Sequence, residues 1–143
     1  MPSLVNITQN TPNSVQVWGF HDPCDKNLVK AAVTHIAGLL DGDNHVIHIM
    51  SGTHGYCSGK VGAVASPEKR FYEEDKEINS PQTRGGSTVT LKVHDFNNGD
   101  LGTYPDHVSA AMSKLNTCMR SEIASPGTHT FLLAYCCSAG TRS

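Results

Sequence analysis

The chain has 143 residues, and 11 Lys and Arg against 13 Asp and Glu give a formal net charge of −2. This length predicts one domain spanning 1–143, and the charge balance argues against nucleic acid as a partner. No run approaches the roughly 20 apolar residues of a membrane span, and the first residues lack the basic and apolar regions of a signal peptide. We therefore expect a cytoplasmic protein that binds neither nucleic acid nor membrane.

The predicted elements alternate between strands and helices. Strands are indicated by alternating or continuous apolar residues, and helices by apolar residues three and four positions apart. Asp25 is placed to cap one helix, and Ser66, followed by proline, to begin another. In chain order the sequence predicts a strand at 15–20, a helix at 25–40, a strand at 45–50, a helix at 66–78, a loop at 80–87, a strand at 89–95, a helix at 105–124 and a buried strand at 130–136.

This order predicts an α/β fold with a mostly parallel sheet flanked by helices. Because the carboxyl ends of parallel strands share one edge, and ligands bind there, the residues after each strand are expected to meet. The segment 66–87 is predicted to be an insertion that is open to cleavage. The strand ends lead into His21-Asp22, the loop 51–55, His94-Asp95 and Cys136-Cys137.

An odd number of cysteines in a chain without a secretion signal argues against a disulfide framework. Thiol chemistry or simple burial is the better explanation for them. The five are Cys24, Cys57, Cys118, Cys136 and Cys137.

A histidine and a cysteine at neighbouring strand ends are typical of nucleophilic catalysis. Cysteine attacks a carbonyl as the thiolate, and it needs a base and donors for the oxyanion. We expect His54 to be the base, Cys137 the nucleophile, and the backbone N–H of Gly55 an oxyanion donor. Asp22 and Asp95, each at the end of a strand, are candidates for substrate contacts, although a turn cap explains Asp95 equally well.

The stretch 46–55, an apolar strand followed by Ser-Gly-Thr-His-Gly, resembles the His-Gly motif of metacaspases. The stretch 132–140 resembles the strand and nucleophile loop of the same caspase-like cysteine peptidases. The resemblance implies an α/β sandwich that cleaves a peptide or amide bond in a protein substrate without a cofactor. It puts the nucleophile at Cys137, or at Cys136 if the strand ends one residue earlier. The family's acidic residue two positions before the nucleophile is Tyr135 here, so specificity for basic side chains is not implied.

Caspase-like peptidases continue with further strands after the nucleophile. The resemblance therefore implies that a homodimer or a second chain completes the fold here.

Two alternatives remain open. His21 and Cys24, together with His54 and Cys57, repeat a His-x-x-Cys spacing at the proposed edge and offer four nitrogen and sulfur ligands for Zn²⁺. The domain could also be a catalytically inert interaction or adaptor module. Neither alternative needs the His54–Cys137 pair to react.

Two further histidines and an acidic run are expected to be structural or exposed rather than part of a site. His45 and His48 begin or interrupt a strand, and we expect them to be structural or to face solvent. The acidic residues between 73 and 77 belong to a charged helix and are expected on its solvated face.

Overall fold

The structure is a computed structural model that describes residues 3–8, 15–51, 54–55, 64–66, 79–95 and 106–140. Nine elements lie in these ranges. They are β1 (Leu4–Asn6), β2 (Gln16–Phe20), α1 (Lys26–Leu39), β3 (His45–Ser51), β4 (His54–Gly55), β5 (Val64–Ser66), β6 (Thr90–Asp95), α2 (Asp106–Ile123) and β7 (Thr128–Leu133).

The main sheet has five strands in the order β1-β2-β7-β3-β6. Strands β2, β7, β3 and β6 are parallel to one another, and only β1 runs antiparallel, against β2. The prediction of an α/β fold with a mostly parallel sheet is therefore confirmed. A separate antiparallel pair joins β4 to β5.

The two helices cover opposite faces of the sheet. The connections β2–α1–β3 and β6–α2–β7 cross the sheet in opposite directions, so right-handed crossovers put their helices on opposite sides. On the α1 side, Ile47, Ile49 and Leu132 belong to a buried cluster with the apolar stripe of α1. On the other side, Leu115 and Met119 of α2 belong to a cluster with strand residues including Phe131. The result is a three-layer α/β/α domain.

Helix α1 begins where the sequence predicts. The Asp25 carboxylate accepts a hydrogen bond from the backbone N–H of Leu28 at 2.8 Å, which satisfies one of the unpaired donors of the first turn. In the parts of the chain that the structure describes, no helix combines the length and apolar character that crossing a membrane requires. The buried stripe of α1 consists of Val29, Ala32, Val33, Ile36 and Ala37.

The structure differs from the predictions at three places. The last strand ends at Leu133 rather than 136. By register Phe20 and Ser51, the last residues of β2 and β3, lie opposite Ala134, so Tyr135 and Cys136 have no neighbouring strand to pair with. Ser66 ends a short strand rather than beginning a helix, and the predicted helix at 67–78, with its acidic residues, lies outside the described residues. Strand β1 was not predicted.

The predicted loop at 80–87 is fixed in place by hydrogen bonds and an ion pair. The backbone N–H of Arg84 donates to the carbonyl of Leu40 at 2.8 Å, and the Arg84 guanidinium lies 3.4 Å from the Asp41 carboxylate. Thr83 is buried and its N–H donates to the carbonyl of Ser87. This turn therefore packs against the end of α1.

Candidate functional site

The carboxyl ends of the four parallel strands lie at one edge of the sheet. Met50 in β3 pairs with Leu133 in β7, and Ser51 in β3 pairs with Asp95 in β6. His54 follows the end of β3 by three positions, and Cys136 follows the end of β7 by three positions. The prediction that these strand ends converge is confirmed.

The loop 134–140, which follows β7, is anchored by a buried serine. The Ser138 hydroxyl donates to the carbonyl of Leu133 at 2.6 Å and accepts the backbone N–H of Phe20 at 3.0 Å. The absence of a side chain at Gly19 permits this approach, since a Cβ there would lie 2.8 Å from Ser138 Oγ. Ser138 therefore joins the loop to the end of β2.

Further contacts hold the same loop against the residues after β2. The backbone N–H of Cys137 donates to the carbonyl of Asp22 at 3.2 Å. The Nδ1 atom of His21 lies 2.9 Å from the carbonyl oxygen of Gly140, so it donates. The predicted site residues His21 and Asp22 therefore contact the loop 134–140. Their observed contacts hold the backbone of this loop in place.

The described cysteines are in two different states, since one is disulfide-bonded and three are thiols. Cys137 is buried and disulfide-bonded, and its φ of 54° is uncommon for a residue other than glycine. Cys24, Cys118 and Cys136 carry thiols. The expectation that the cysteines remain as thiols is therefore wrong for Cys137. Its sulfur can become the predicted nucleophile only after reduction, because the attacking species is the thiolate.

Cys136 is a half-buried thiol at the same edge. Its Sγ atom accepts the backbone N–H of Cys24 at 3.2 Å and donates the thiol hydrogen to the carbonyl of Cys24 at 3.5 Å. The N–H donor favours the thiolate, and the carbonyl acceptor favours the thiol. An open pocket of about 610 Å³ lies beside Cys24, and its lining residues are Pro23, Cys24, Asp25, Asn27, Leu28 and Ala31.

Other predicted site residues are described only in part. The backbone of His54 and Gly55 forms β4, next to the end of β3, and the backbone of Asp95 ends β6. Their side chains, and all of Cys57, lie outside the described residues. Two members of the alternative zinc set, His54 and Cys57, are therefore not located.

The sequence analysis missed a cluster of histidines on the α2 face of the sheet. His48 in β3 is fully buried, and its ring lies between two others. The Nδ1 atom of His48 is 2.8 Å from Nε2 of His94 in β6, and its Nε2 atom is 2.8 Å from Nδ1 of His129. His48 therefore does not face solvent, which was one of the two expectations for it.

The protons in this cluster can be assigned from one end. His129 Nε2 lies 3.0 Å from the carbonyl oxygen of Ser125, which only accepts, so Nε2 carries the proton. With one proton on each ring, His129 Nδ1 accepts from His48 Nε2–H, and His48 Nδ1 accepts from His94 Nε2–H. The remaining nitrogen, His94 Nδ1, accepts from the Cys118 thiol at 3.4 Å.

The electrostatics agree with neutral rings. Burial, together with the neighbouring His94, lowers the pKa of His48 to about 4. Burial also lowers the pKa of His94 and, with the Glu122 carboxylate nearby, raises the pKa of the Cys118 thiol. A hydrogen bond from Lys92, 2.7 Å from the carboxylate, lowers the pKa of Glu122. The cluster thus combines neutral nitrogen donors with one charged carboxylate.

A scan of family models, a search of curated proteins and a search of solved structures each find no match to this chain. The function therefore has to be inferred from the residues and their geometry.

Proposed function

We propose that this protein is a cysteine-nucleophile hydrolase whose reactive thiol lies in the loop 134–140. The observation that carries the proposal is the position of the Cys136 thiol. It lies at the carboxyl edge of a parallel sheet, and its sulfur accepts a backbone N–H from Cys24. Cys137, one residue further, is the second candidate nucleophile and becomes available when its disulfide is reduced.

The first candidate substrate is a peptide or amide bond. His54 takes the thiol proton, the resulting thiolate attacks the carbonyl carbon, and the imidazolium then gives this proton to the leaving amine. The backbone N–H of Gly55 stabilises the oxyanion, and water hydrolyses the resulting thioester. The adjacency of β3 and β7 supports this candidate, because His54 and the thiol loop follow neighbouring parallel strands.

The second candidate substrate is a phosphate monoester. The backbone N–H groups of Cys137, Ala139 and Gly140 donate to the carbonyls of Asp22, Phe20 and Cys137, so a side chain would have to hold the phosphate. In the sequence Arg142 stands six positions after Cys136, and a guanidinium binds two phosphate oxygens at once. Arg142 lies outside the described residues, so its part in this candidate depends on the sequence alone.

The phosphate reaction has two steps. The Cys136 thiolate forms a bond to phosphorus as the ester oxygen leaves, and the leaving oxygen takes a proton from an acid. Water then attacks phosphorus and releases inorganic phosphate and the thiolate.

Assays with two substrates distinguish these candidates. Reduced protein would be tested with a mixed peptide-amide library and with p-nitrophenyl phosphate. We expect turnover of one class, at least 100-fold slower in the Cys136→Ser or the Cys137→Ser variant. Cys118→Ser is the matched control, because this thiol lies on α2 beside His94, outside the loop.

The second residue whose loss abolishes turnover identifies the chemistry. Loss of peptide cleavage in His54→Ala supports the peptidase, and loss of phosphate release in Arg142→Ala supports the phosphatase. Turnover that survives both Cys136→Ser and Cys137→Ser would contradict the proposal. No turnover of either class by wild type would favour an inert interaction domain.

A further inference from the structure

His48, His94 and Glu122 come from three separate elements and meet on the α2 side of the sheet. Each offers one ligand atom, and these atoms lie within 4.8 Å of one another. We propose that His48, His94 and Glu122 bind a divalent transition-metal cation of the zinc class. The site shares no residue with the loop 134–140 or with the alternative zinc set at the strand ends. It therefore does not depend on the proposed hydrolase activity.

The donor set suits zinc. Two imidazole nitrogens and one carboxylate are an established ligand combination for Zn²⁺ sites that keep a fourth position for water or substrate. His48 is fully buried, whereas His94 and Glu122 are partly exposed. The cation would thus have a fixed ligand on the inner side and access from solvent on the outer side.

Binding requires a small separation of the two rings. The nitrogens of His48 and His94 are 2.8 Å apart because they share a proton. Two nitrogens at the usual zinc distance of about 2.0–2.1 Å and a tetrahedral angle would be about 3.3 Å apart. His94 can make this shift because β6, its strand, is the last in the sheet order of the described residues.

The proton between the His48 and His94 rings can move to the other nitrogen of His94. His48 Nδ1 already presents a lone pair, since His48 Nε2–H donates to His129. His94 Nε2 becomes a ligand when its proton moves to Nδ1, which then faces the Cys118 sulfur at 3.4 Å. Cys118 changes from donor to acceptor in this step, and no net proton is released from the two imidazoles.

Neighbouring groups orient the ligands. His129 accepts from His48 Nε2–H and is itself fixed by the carbonyl of Ser125. Such outer hydrogen bonds set the tautomer and the direction of a metal-bound imidazole. Lys92 binds one oxygen of Glu122 at 2.7 Å, and the carboxylate has further lone pairs for a cation.

Metal titration of the untagged protein tests this site. After treatment with a chelator, the protein would be titrated with Co²⁺ while its visible absorption is recorded, and Zn²⁺ would then be added in competition. We expect one Co²⁺ per chain, displaced by Zn²⁺. We also expect at least a tenfold weaker affinity in His94→Ala and Glu122→Gln, and a loss of about 10–100-fold in His129→Ala.

Two control variants identify the origin of any binding. His35→Ala removes an exposed histidine of α1, and we expect it to bind like wild type. Cys24→Ser removes a ligand of the alternative zinc set, and binding should likewise persist. Circular dichroism would establish that each variant is folded. Wild-type affinity in folded His94→Ala and Glu122→Gln, loss of binding in Cys24→Ser, or no binding by wild type would overturn the proposal.

Discussion

Replacing Ser138 by alanine tests how the loop 134–140 is held against the end of β2. The Ser138 hydroxyl is fully buried and makes two hydrogen bonds, one to the Leu133 carbonyl and one from the Phe20 N–H. Alanine leaves both backbone groups without this partner in a space that has no contact with solvent. An unsatisfied buried polar group costs about 1–3 kcal/mol, so we expect the free energy of unfolding to fall by about 2–4 kcal/mol.

Urea denaturation followed by circular dichroism measures this change. With an m-value of about 2 kcal/mol per M, the unfolding midpoint should fall by about 1–2 M. Ser121→Ala is the matched control, because Ser121 is exposed on α2 and its loss should change stability by less than about 0.5 kcal/mol. If Ser138→Ala unfolds at the same urea concentration as Ser121→Ala, the hydroxyl does not anchor the loop.

Three further predictions concern the packing at Gly19, the titration of His48 and the reactivity of two thiols. Gly19→Ala should destabilise the protein by about 1–3 kcal/mol, because the new methyl group meets Ser138 Oγ, and the double variant with Ser138→Ala should lose less than the sum in the same urea assay. In metal-free protein with a chelator, the free energy of unfolding should fall by up to about 3 kcal/mol between pH 6.5 and pH 4, because below pH 6.5 the unfolded chain binds a proton that folded His48, with a pKa of about 4, does not. His48→Gln should lack this component, and an unchanged pH profile would contradict the assignment. Iodoacetamide should modify Cys118 more slowly than Cys136 at neutral pH, because burial raises the pKa of the Cys118 thiol, and mass spectrometry of the peptides would detect the reverse order.

The sequence predicts the features that depend on neighbouring residues. Helix α1 lies within one residue of its predicted limits, because Asp25 caps it and its apolar stripe has helical spacing. The alternation of strands and helices is enough to predict a parallel sheet, and with it the shared edge that carries Cys136. These features follow from local pattern and from the handedness of the crossovers.

The features that the sequence does not predict depend on strand order. His48, His94 and His129 meet only because β3 lies between β6 and β7, and nothing in a single sequence fixes that order. Ser138 likewise reaches the end of β2 only because β2 lies beside β7. For the same reason the sequence does not predict that Ser138 anchors the loop 134–140 or that the three histidines form a cluster.

The most direct test of the central claim is the alkylation rate of each cysteine in the reduced protein, measured against pH by mass spectrometry in wild type and His54→Ala. A nucleophilic thiol should react rapidly below the pKa of about 8.5 of an ordinary cysteine. We predict that Cys136 or Cys137 alone does so, and that the rate falls in His54→Ala if the imidazole is the base. If all five thiols react slowly, each with an ordinary pH dependence, the loop holds no activated thiol and the protein is not a cysteine-nucleophile hydrolase.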